Sequence, residues 1–565
     1  MNVCRVTLIF LLWPAAVRPV WAGQTGAGQA GLGGRQQAAA EVKPAMIQGK
    51  VLASDTGTGL RKVTLTLWPA ERQEGQLPLT TKTNENGEYE FKDVAPGRYN
   101  LGADRNGYVR QTYGQPASNP GPSPGTPLVV KAGEILSRID LTLIRGGALE
   151  GRVVDQEGEP VSRVAVQLSR YRTVRSRRAL TPVAFDQTDD RGEYRLFDIP
   201  PGNYYLSASL RGFGTQEGGS TYLPTYYPGA LSPQEATRIQ VAPAAQLAGY
   251  DLVLFEGRGY TVSGRVLAAD GKPATRAFLM SMRLPFQGTG SGFGGSPIDA
   301  EGNFRMDGLP PGSYRLTARA ESGNNRQAAS TVVDVVNEDL SGVTLMLGPG
   351  AEIHGRVLFD QRVEDFNASQ LRVGVTPEDP SPMMFGSSGS GDVKEDYTFS
   401  LSDIPEGPGR LWVRLPPGNV FLQAIHLQGR DVVDQAVDFR NNDQMRGVEI
   451  ILSARGAQFS GTVRREQTGE IIKGASVLLF SPDPELRASN SRFTRITQTD
   501  QNGAFSLRGL VPAEYLSCAL LNFETGAESD PTYLKTLETL AQRVTLAPSE
   551  NKTESLNAVP APPID

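Results

Sequence analysis

Residues Thr188 to Ala208 read T-D-D-R-G-E-Y-R-L-F-D-I-P-P-G-N-Y-Y-L-S-A, and they spell a turn, a strand, a second turn and a second strand. Asp189-Asp190-Arg191-Gly192 is a tight turn ending on a residue free to take positive φ. Glu193-Tyr194-Arg195-Leu196 alternates polar and apolar, the pattern of a half-buried strand. Pro200-Pro201-Gly202 forces a reversal, and Tyr204 to Ala208 alternates again. The phrase recurs. Asn84-Glu85-Asn86-Gly87-Glu88-Tyr89 leads to Pro96-Gly97-Arg98-Tyr99, and Asp299-Ala300-Glu301-Gly302-Asn303-Phe304 leads to Pro310-Pro311-Gly312-Ser313-Tyr314. Asp500-Gln501-Asn502-Gly503-Ala504-Phe505 leads to a weaker copy, Pro512-Ala513-Glu514-Tyr515. The chain is therefore built of repeats.

Each repeat opens on an apolar strand with a central glycine: Ile47-Gln48-Gly49-Lys50-Val51, Leu149-Glu150-Gly151-Arg152-Val153, Val262-Ser263-Gly264-Arg265-Val266, Ile353-His354-Gly355-Arg356-Val357 and Phe459-Ser460-Gly461-Thr462-Val463. These glycines are 102, 113, 91 and 106 residues apart, about one small domain each. A second strand follows, as in Val164 to Leu168, where Val164, Val166 and Leu168 are expected to face a core and Ala165 and Gln167 to face away. A strand such as Ile139 to Leu143 or Val343 to Leu347 closes the unit. Strands at this spacing with turn chemistry between them predict an all-β chain, a tandem array of five antiparallel β-sandwiches in which each unit contacts mainly its neighbours.

The expected organisation is a secretory signal peptide over 1–22, a flexible tether over 23–45, and repeats over 46–146, 147–257, 258–349, 350–455 and 456–548. A polar, Pro-containing tail over 549–565 is expected to be disordered. Arg5 followed by the apolar run Val6 to Val17 and by Val20-Trp21-Ala22 carries the signal-peptide reading, with cleavage after Ala22. Repeat four departs from the pattern. It lacks the turn glycine before Tyr397 and adds a reversal at Pro416-Pro417-Gly418, so an inserted or longer hairpin is expected there.

Of 565 residues, 63 are Gly and 40 are Pro, and they fall at turns, so they punctuate strands. Net charge is −5, and loss of Arg5 and Arg18 with the leader would take it to −7, which disfavours nucleic acid as a partner. Cys4 lies in the leader and leaves Cys518 alone in a strand pattern, where a buried structural thiol is the simplest reading. His354 and His426 are the only histidines, and neither forms a His-x-x-Glu. That argues against a zinc peptidase and against His-based hydrolysis. A two-carboxylate glycosidase draws its acids from distant loops, but small sandwiches offer little room for a deep cleft. Acidic turns such as Asp189-Asp190 lack EF-hand spacing and read as β-turns. The Gly/Ser loops at 288–295 and 386–391 lack the Lys and helix of a phosphate loop. No cofactor or metal is expected.

The phrase G-[KR]-V … D-x-x-G-x-[YF] … P-P-G-x-Y resembles the carboxypeptidase regulatory-like domain and its relatives, the collagen-adhesin B-type repeats. The resemblance covers about residues 46–548, clearest in the first three copies. It implies a prealbumin-like, carbohydrate-binding-like fold and no peptidase activity. Linking phrases such as Tyr226-Tyr227-Pro228-Gly229-Ala230 look like those of secreted multi-repeat proteins from Gram-negative bacteria, which implies the periplasm or the cell surface. The collagen-adhesin relatives carry Lys–Asn/Asp isopeptide links. Here only Lys50 with Asp140 is a conceivable pair, and none is expected, because the other opening strands mostly carry Arg.

Two clusters are candidate binding residues. Tyr222, Tyr226 and Tyr227 crowd a Pro-Gly-bounded loop, and Tyr108 with Tyr113 occupies the comparable place in repeat one. Exposed aromatic faces stack on sugars, whereas inward-turned rings would cap the open end of their sandwich. The basic run Arg170-Tyr171-Arg172, Arg175, Arg177-Arg178 is read as a loop, where Arg172 and Arg175 could meet an anionic glycan, a lipid headgroup or an acidic protein face, or simply be solvated. The expectation is a non-catalytic array binding polysaccharide or cell-envelope glycan, or alternatively a spacer or scaffold for envelope proteins.

Overall fold

The computed structural model describes residues 43–564 apart from 71–76, 116–124, 175–176, 211–219, 275, 285–292, 323–324, 362, 364–365, 379–388, 417 and 488–490. The segments read as signal peptide and most of the tether lie outside the described residues. The described chain from Lys43 onward forms one compact unit, and it is built almost wholly of strands.

One pairing recurs five times. The opening strand pairs antiparallel with the strand of the repeated phrase: Ala45–Ala53 with Glu88–Val94, Gly147–Val154 with Glu193–Ile199, Tyr260–Leu267 with Asn303–Leu309, Ala351–Phe359 with Thr398–Ile404, and Ala457–Arg464 with Ala504–Leu510. Each pairing carries a register shift at its start. Near the shift the phrase strand holds Asp93, Asp198, Gly308, Asp403 or Gly509, all at positive φ. Asp and Gly tolerate that conformation, and the resulting bulge bends the strand over the core. The closing strand joins the other edge of the opening strand and runs parallel to it, adding one parallel ladder to mainly antiparallel sheets. A second sheet, built on the second strand and the strand after the Pro-Gly turn, supplies the facing layer. Separate apolar cores fill the five segments.

The central glycine of each opening strand is a packing requirement. Gly49, Gly151, Gly264, Gly355 and Gly461 pair across the ladder with Tyr89, Tyr194, Phe304, Phe399 and Phe505. A Cβ on any of the five would overlap a carbonyl oxygen of the closing segment: Ile139, Tyr250, Val343, Val448 or Glu554. In the first two repeats the aromatic hydroxyl donates to that same carbonyl, Tyr89 to Ile139 O and Tyr194 to Tyr250 O at 2.6 Å. Burial holds both hydroxyls well above the ordinary tyrosine range.

The rest of the phrase also serves the fold. The turn residue caps its own turn: Asp189 Oδ1 accepts the Arg191 and Glu193 N–H groups, and Asn84, Asp299 and Asp500 do the same in their copies. After the Pro-Gly turn, Tyr99, Tyr204, Tyr314 and Tyr515 each donate to the carbonyl four residues back, at 2.6–2.9 Å. Repeat four has Gly409 at this place, and the buried ring of Phe439 lies 3.2 Å from where its Cβ would be, filling the gap.

Several expectations are corrected. The tail is not disordered: Asn551–Pro560 is the closing strand of repeat five, set between Ala457–Arg464 and Glu514–Leu521 so that all strands of that repeat join one sheet. Its alternation is polar because only Leu556 is fully buried. The basic run is not a loop. Val164–Val174 and Arg177–Gln187 form a long hairpin, extended by β-branched and aromatic residues. Ala165 and Gln167 do not face water; both are buried, and the Gln167 amide donates to Ser169 Oγ. Repeat four does carry an additional strand, Phe421–Leu427, beside its closing strand Gln444–Ser453. Repeat five adds a second core on its outer face, where the helix Pro531–Leu537 packs Leu534 and Leu537 against Leu478 and Phe480.

Gly264→Ala must push the Val343 carbonyl out of its ladder. Overpacking of this kind costs roughly 1–3 kcal/mol, so the first urea midpoint is expected to fall. Gly229→Ala, where the nearest atom is 3.5 Å from the new Cβ, is expected to leave that midpoint in place.

Candidate functional site

The tyrosines turn inward. Tyr108, Tyr113, Tyr222 and Tyr226 are all buried, which corrects the stacking-platform expectation for these four. Tyr113 joins the core of repeat one and Tyr222 that of repeat two. Tyr222 lies in Ser220–Tyr222, which pairs with the linker strand Glu256–Arg258. Tyr226 lies in Thr225–Tyr226 against the post-turn strand, and its backbone exchanges two 2.7 Å hydrogen bonds with Ala230. Tyr108 sits at the junction of the first two repeats, with the Arg105 and Arg145 guanidiniums 5.2 and 5.6 Å from its ring centre. A flat ring with a polar tip closes the open end of a sandwich without stranding its hydroxyl, which is why tyrosine collects there. Tyr227 alone keeps partial exposure, and its ring lies 5.1 Å from that of Tyr250, tilted by 43°.

The basic hairpin meets an acidic group of its own chain. Arg170 and Arg178 act on Glu524 of repeat five, whose carboxyl burial pushes above the usual range while the two arginines pull it back. Beside it, Gly526 lies against the Thr173 carbonyl so closely that a Cβ would overlap it. Arg178 also stands over the Tyr171 ring, 5.7 Å from its centre, and Tyr171 packs edge-on to Tyr205. Arg172 is half-buried opposite Ala179. Arg175 lies outside the described residues.

Repeat five also grips repeat one. The Gln501 amide donates to Val129 O at 2.8 Å and accepts from Val129 N at 3.0 Å, so the side chain mimics a strand neighbour. Close by, Gly474 leaves room for Thr126 and Gly114. Consecutive repeats touch as well, through Gly107 N to Asp198 Oδ1 at 3.0 Å, Asn441 Nδ2 to Ala328 O at 3.0 Å, and Arg492 to Asp434 at 3.3 Å. Repeat five thus contacts repeats one and two as well as its sequence neighbour. None of these residues carried a sequence signal. Gln501 occupies a turn position that elsewhere holds Glu85, Asp190 or Ala300.

Chemistry of other kinds finds little support in the geometry. Lys50 is about half exposed, with its ammonium 3.1 Å from Glu88. The Asp140 carboxylate accepts the Lys50 backbone N–H at 2.8 Å, as Asp251 does for Arg152. These acids patch a ladder, and the dry environment an isopeptide bond needs is missing. A cavity of about 670 Å³ over this face mixes Lys50, Lys82 and Arg138 with Glu88, Glu90 and Asp140. His354 lies 3.4 Å from Glu352, both half-buried on the opening strand of repeat four. Among the described residues no three His, Cys, Asp or Glu side chains converge to hold a metal ion. Burial pushes the Cys518 thiol up to about 12, which makes it unreactive. No described helix is long and apolar enough to cross a membrane.

Residues 46–143 and 148–243 match the family model of the carboxypeptidase regulatory-like domain. No curated protein matches the chain. Among solved structures the chain is similar to the Bacillus anthracis TIE protein, with 9% identity, 73% of each chain covered and a TM-score of 0.15. It is similar to a streptococcal ancillary pilin, with 12% identity over 54% of this chain and 99% of that one and a TM-score of 0.17. A third is the minor pilin GBS52 of Streptococcus agalactiae, with 14% identity over 38% and 96% and a TM-score of 0.21.

The half-buried contact between repeats two and five carries a pH dependence. A carboxyl whose folded pKa lies above its unfolded value binds its proton more tightly in the folded chain. Its contribution is therefore most favourable below the unfolded value and is lost as pH rises through the folded one. Glu524→Gln removes this titration. The wild-type thermal midpoint minus that of the variant is expected to fall as pH rises from 4 to 7; a difference constant across that range would refute the assignment.

Proposed function

We propose that this chain, whose first two repeats are carboxypeptidase regulatory-like domains, is a non-catalytic structural scaffold of the bacterial cell envelope. Secretion to the periplasm or cell surface, and envelope proteins as partners, belong to this proposal. One observation carries it: the candidate binding residues are used to build the repeats or to hold them to one another. The hairpin arginines face Glu524, Gln501 is spent on Val129, and four of the tyrosines are cores or caps. A chain that fixes its repeats this way presents a constant surface, which suits a spacer or docking platform.

The docking itself is open to test in the full chain. Gln501→Ala removes two hydrogen bonds to one residue, each worth about 1 kcal/mol. Amide exchange at Val129 is expected to be slow in the wild type and at least about tenfold faster in the variant. Equal rates would show that repeat five does not rest on repeat one.

Glycan binding is the second reading, and the partly exposed Tyr227–Tyr250 pair favours it. On neutral insoluble polysaccharides and the neutral members of a glycan array, the scaffold reading expects no saturable retention, together with recovery of a protein partner from envelope extracts. Retention that is lost in Tyr227→Ala would replace it with the glycan reading. Tyr226→Ala is the contrast: truncating that buried ring costs about 3 kcal/mol of stability, and it is not expected to act selectively on binding.

A further inference from the structure

A cleft of about 490 Å³ lies where segments of repeats one, four and five meet. Its polar wall is made by Arg98, Arg495, Arg508 and Ser506, and Leu415 and Val420 contribute an apolar wall. No carboxylate lines it. Among the described residues no acidic side chain stands within ion-pair distance of Arg98, Arg495 or Arg508. Asp434, whose charge acts on Arg495, is already held by Arg492 at 3.3 Å, with Arg410 also acting on it.

Some arginines elsewhere in the chain are neutralised by a neighbour, and these three, among the described residues, are not. Arg152, Arg356, Arg410 and Arg543 each sit against a glutamate. Nor does the fold demand arginine here. The place of Arg98 after the turn glycine is Asn203, Ser313, Pro408 or Glu514 in the other repeats, and that of Arg508 is Lys92, Phe197, Asp307 or Ser402. Three cations brought to one cleft from two distant segments repel one another and attract an anion. A guanidinium presents a planar fork of donors matched to carboxylate, sulfate and phosphate oxygens. The volume suits a small molecule.

We propose that the cleft formed by Arg98, Arg495, Arg508 and Ser506 binds a small ligand carrying two or more oxyanion groups. The carboxylates, sulfates or phosphates meet the arginines, and the ligand body rests on Leu415 and Val420. Because Arg98 belongs to repeat one and the other two arginines to repeat five, the bound anion ties those repeats together and stabilises the chain by linkage.

The test is calorimetric titration of the full chain with citrate, with inorganic sulfate and with trigalacturonate, each against sodium chloride at equal ionic strength. Saturable one-to-one binding of at least one probe is expected, with a matching rise in thermal midpoint. Arg98→Ala and Arg508→Ala change exposed side chains, so both variants should fold, and each is expected to weaken binding at least about tenfold. Tighter binding of trigalacturonate would identify an acidic saccharide as the source of the anion, and tighter binding of citrate a free small polyanion; either supports the site, whereas sulfate binding as tightly as both would overturn the need for a second oxyanion group. Absence of saturable binding by all three probes, or an affinity unchanged in both variants, overturns it.

Discussion

Every sandwich in this chain depends on one close approach. The closing segment brings a backbone carbonyl to the middle of the opening strand, into the space a Cβ would occupy, so only glycine is tolerated there. A glycine in a strand leaves a hole on the core face and weakens the ladder. The repeat answers with an aromatic ring from the paired strand, Tyr89, Tyr194, Phe304, Phe399 or Phe505, directly across from it. Where the ring is tyrosine, its hydroxyl also donates to the intruding carbonyl. The glycine, the aromatic and the closing strand are thus one device, and losing any member exposes the other two.

That device explains why the repeats can vary so much elsewhere. Repeat four loses the turn glycine and the post-turn tyrosine, yet its Gly355–Phe399 pair and the Val448 carbonyl remain in place. Phe439 then occupies the space beside Gly409. Repeat one closes with the three-residue strand Leu141–Leu143 and repeat five with the ten-residue Asn551–Pro560, which still sets the Glu554 carbonyl against Gly461. Loops, hairpins and a helix are hung on a constant frame, as surface connections can be.

The frame was legible because its constraints are local in sequence. A positive-φ turn, a period-two strand and a Pro-Gly reversal each leave a mark within about ten residues, and together they place the opening and phrase strands in all five copies. Three things were not legible, each for a physical reason. The closing strand of repeat five reads as polar because it is central in its sheet but buries little on its faces. The tyrosine loops look like platforms because a composition rich in Tyr, Pro and Gly does not say which way a ring points. The contacts of Gln501 and Glu524 join residues hundreds of positions apart, and a single glutamine or glutamate carries no pattern.

This division bears on where function can reside. Residues shared by the repeats are consumed by the frame: the Asp of the turn is bonded to its own backbone, the post-turn Tyr to a carbonyl four residues back, the strand Gly to a neighbour's oxygen. Much of their hydrogen-bonding capacity is committed to the fold. What distinguishes one repeat from another is free of that duty. The hairpin of repeat two, the Gln501 turn and the arginines at 98, 495 and 508 all stand at positions where the other copies hold different residue types. In an array whose copies share a fold, chemistry specific to this chain must be sought at such unshared positions, and several of them gather where the first and last repeats meet.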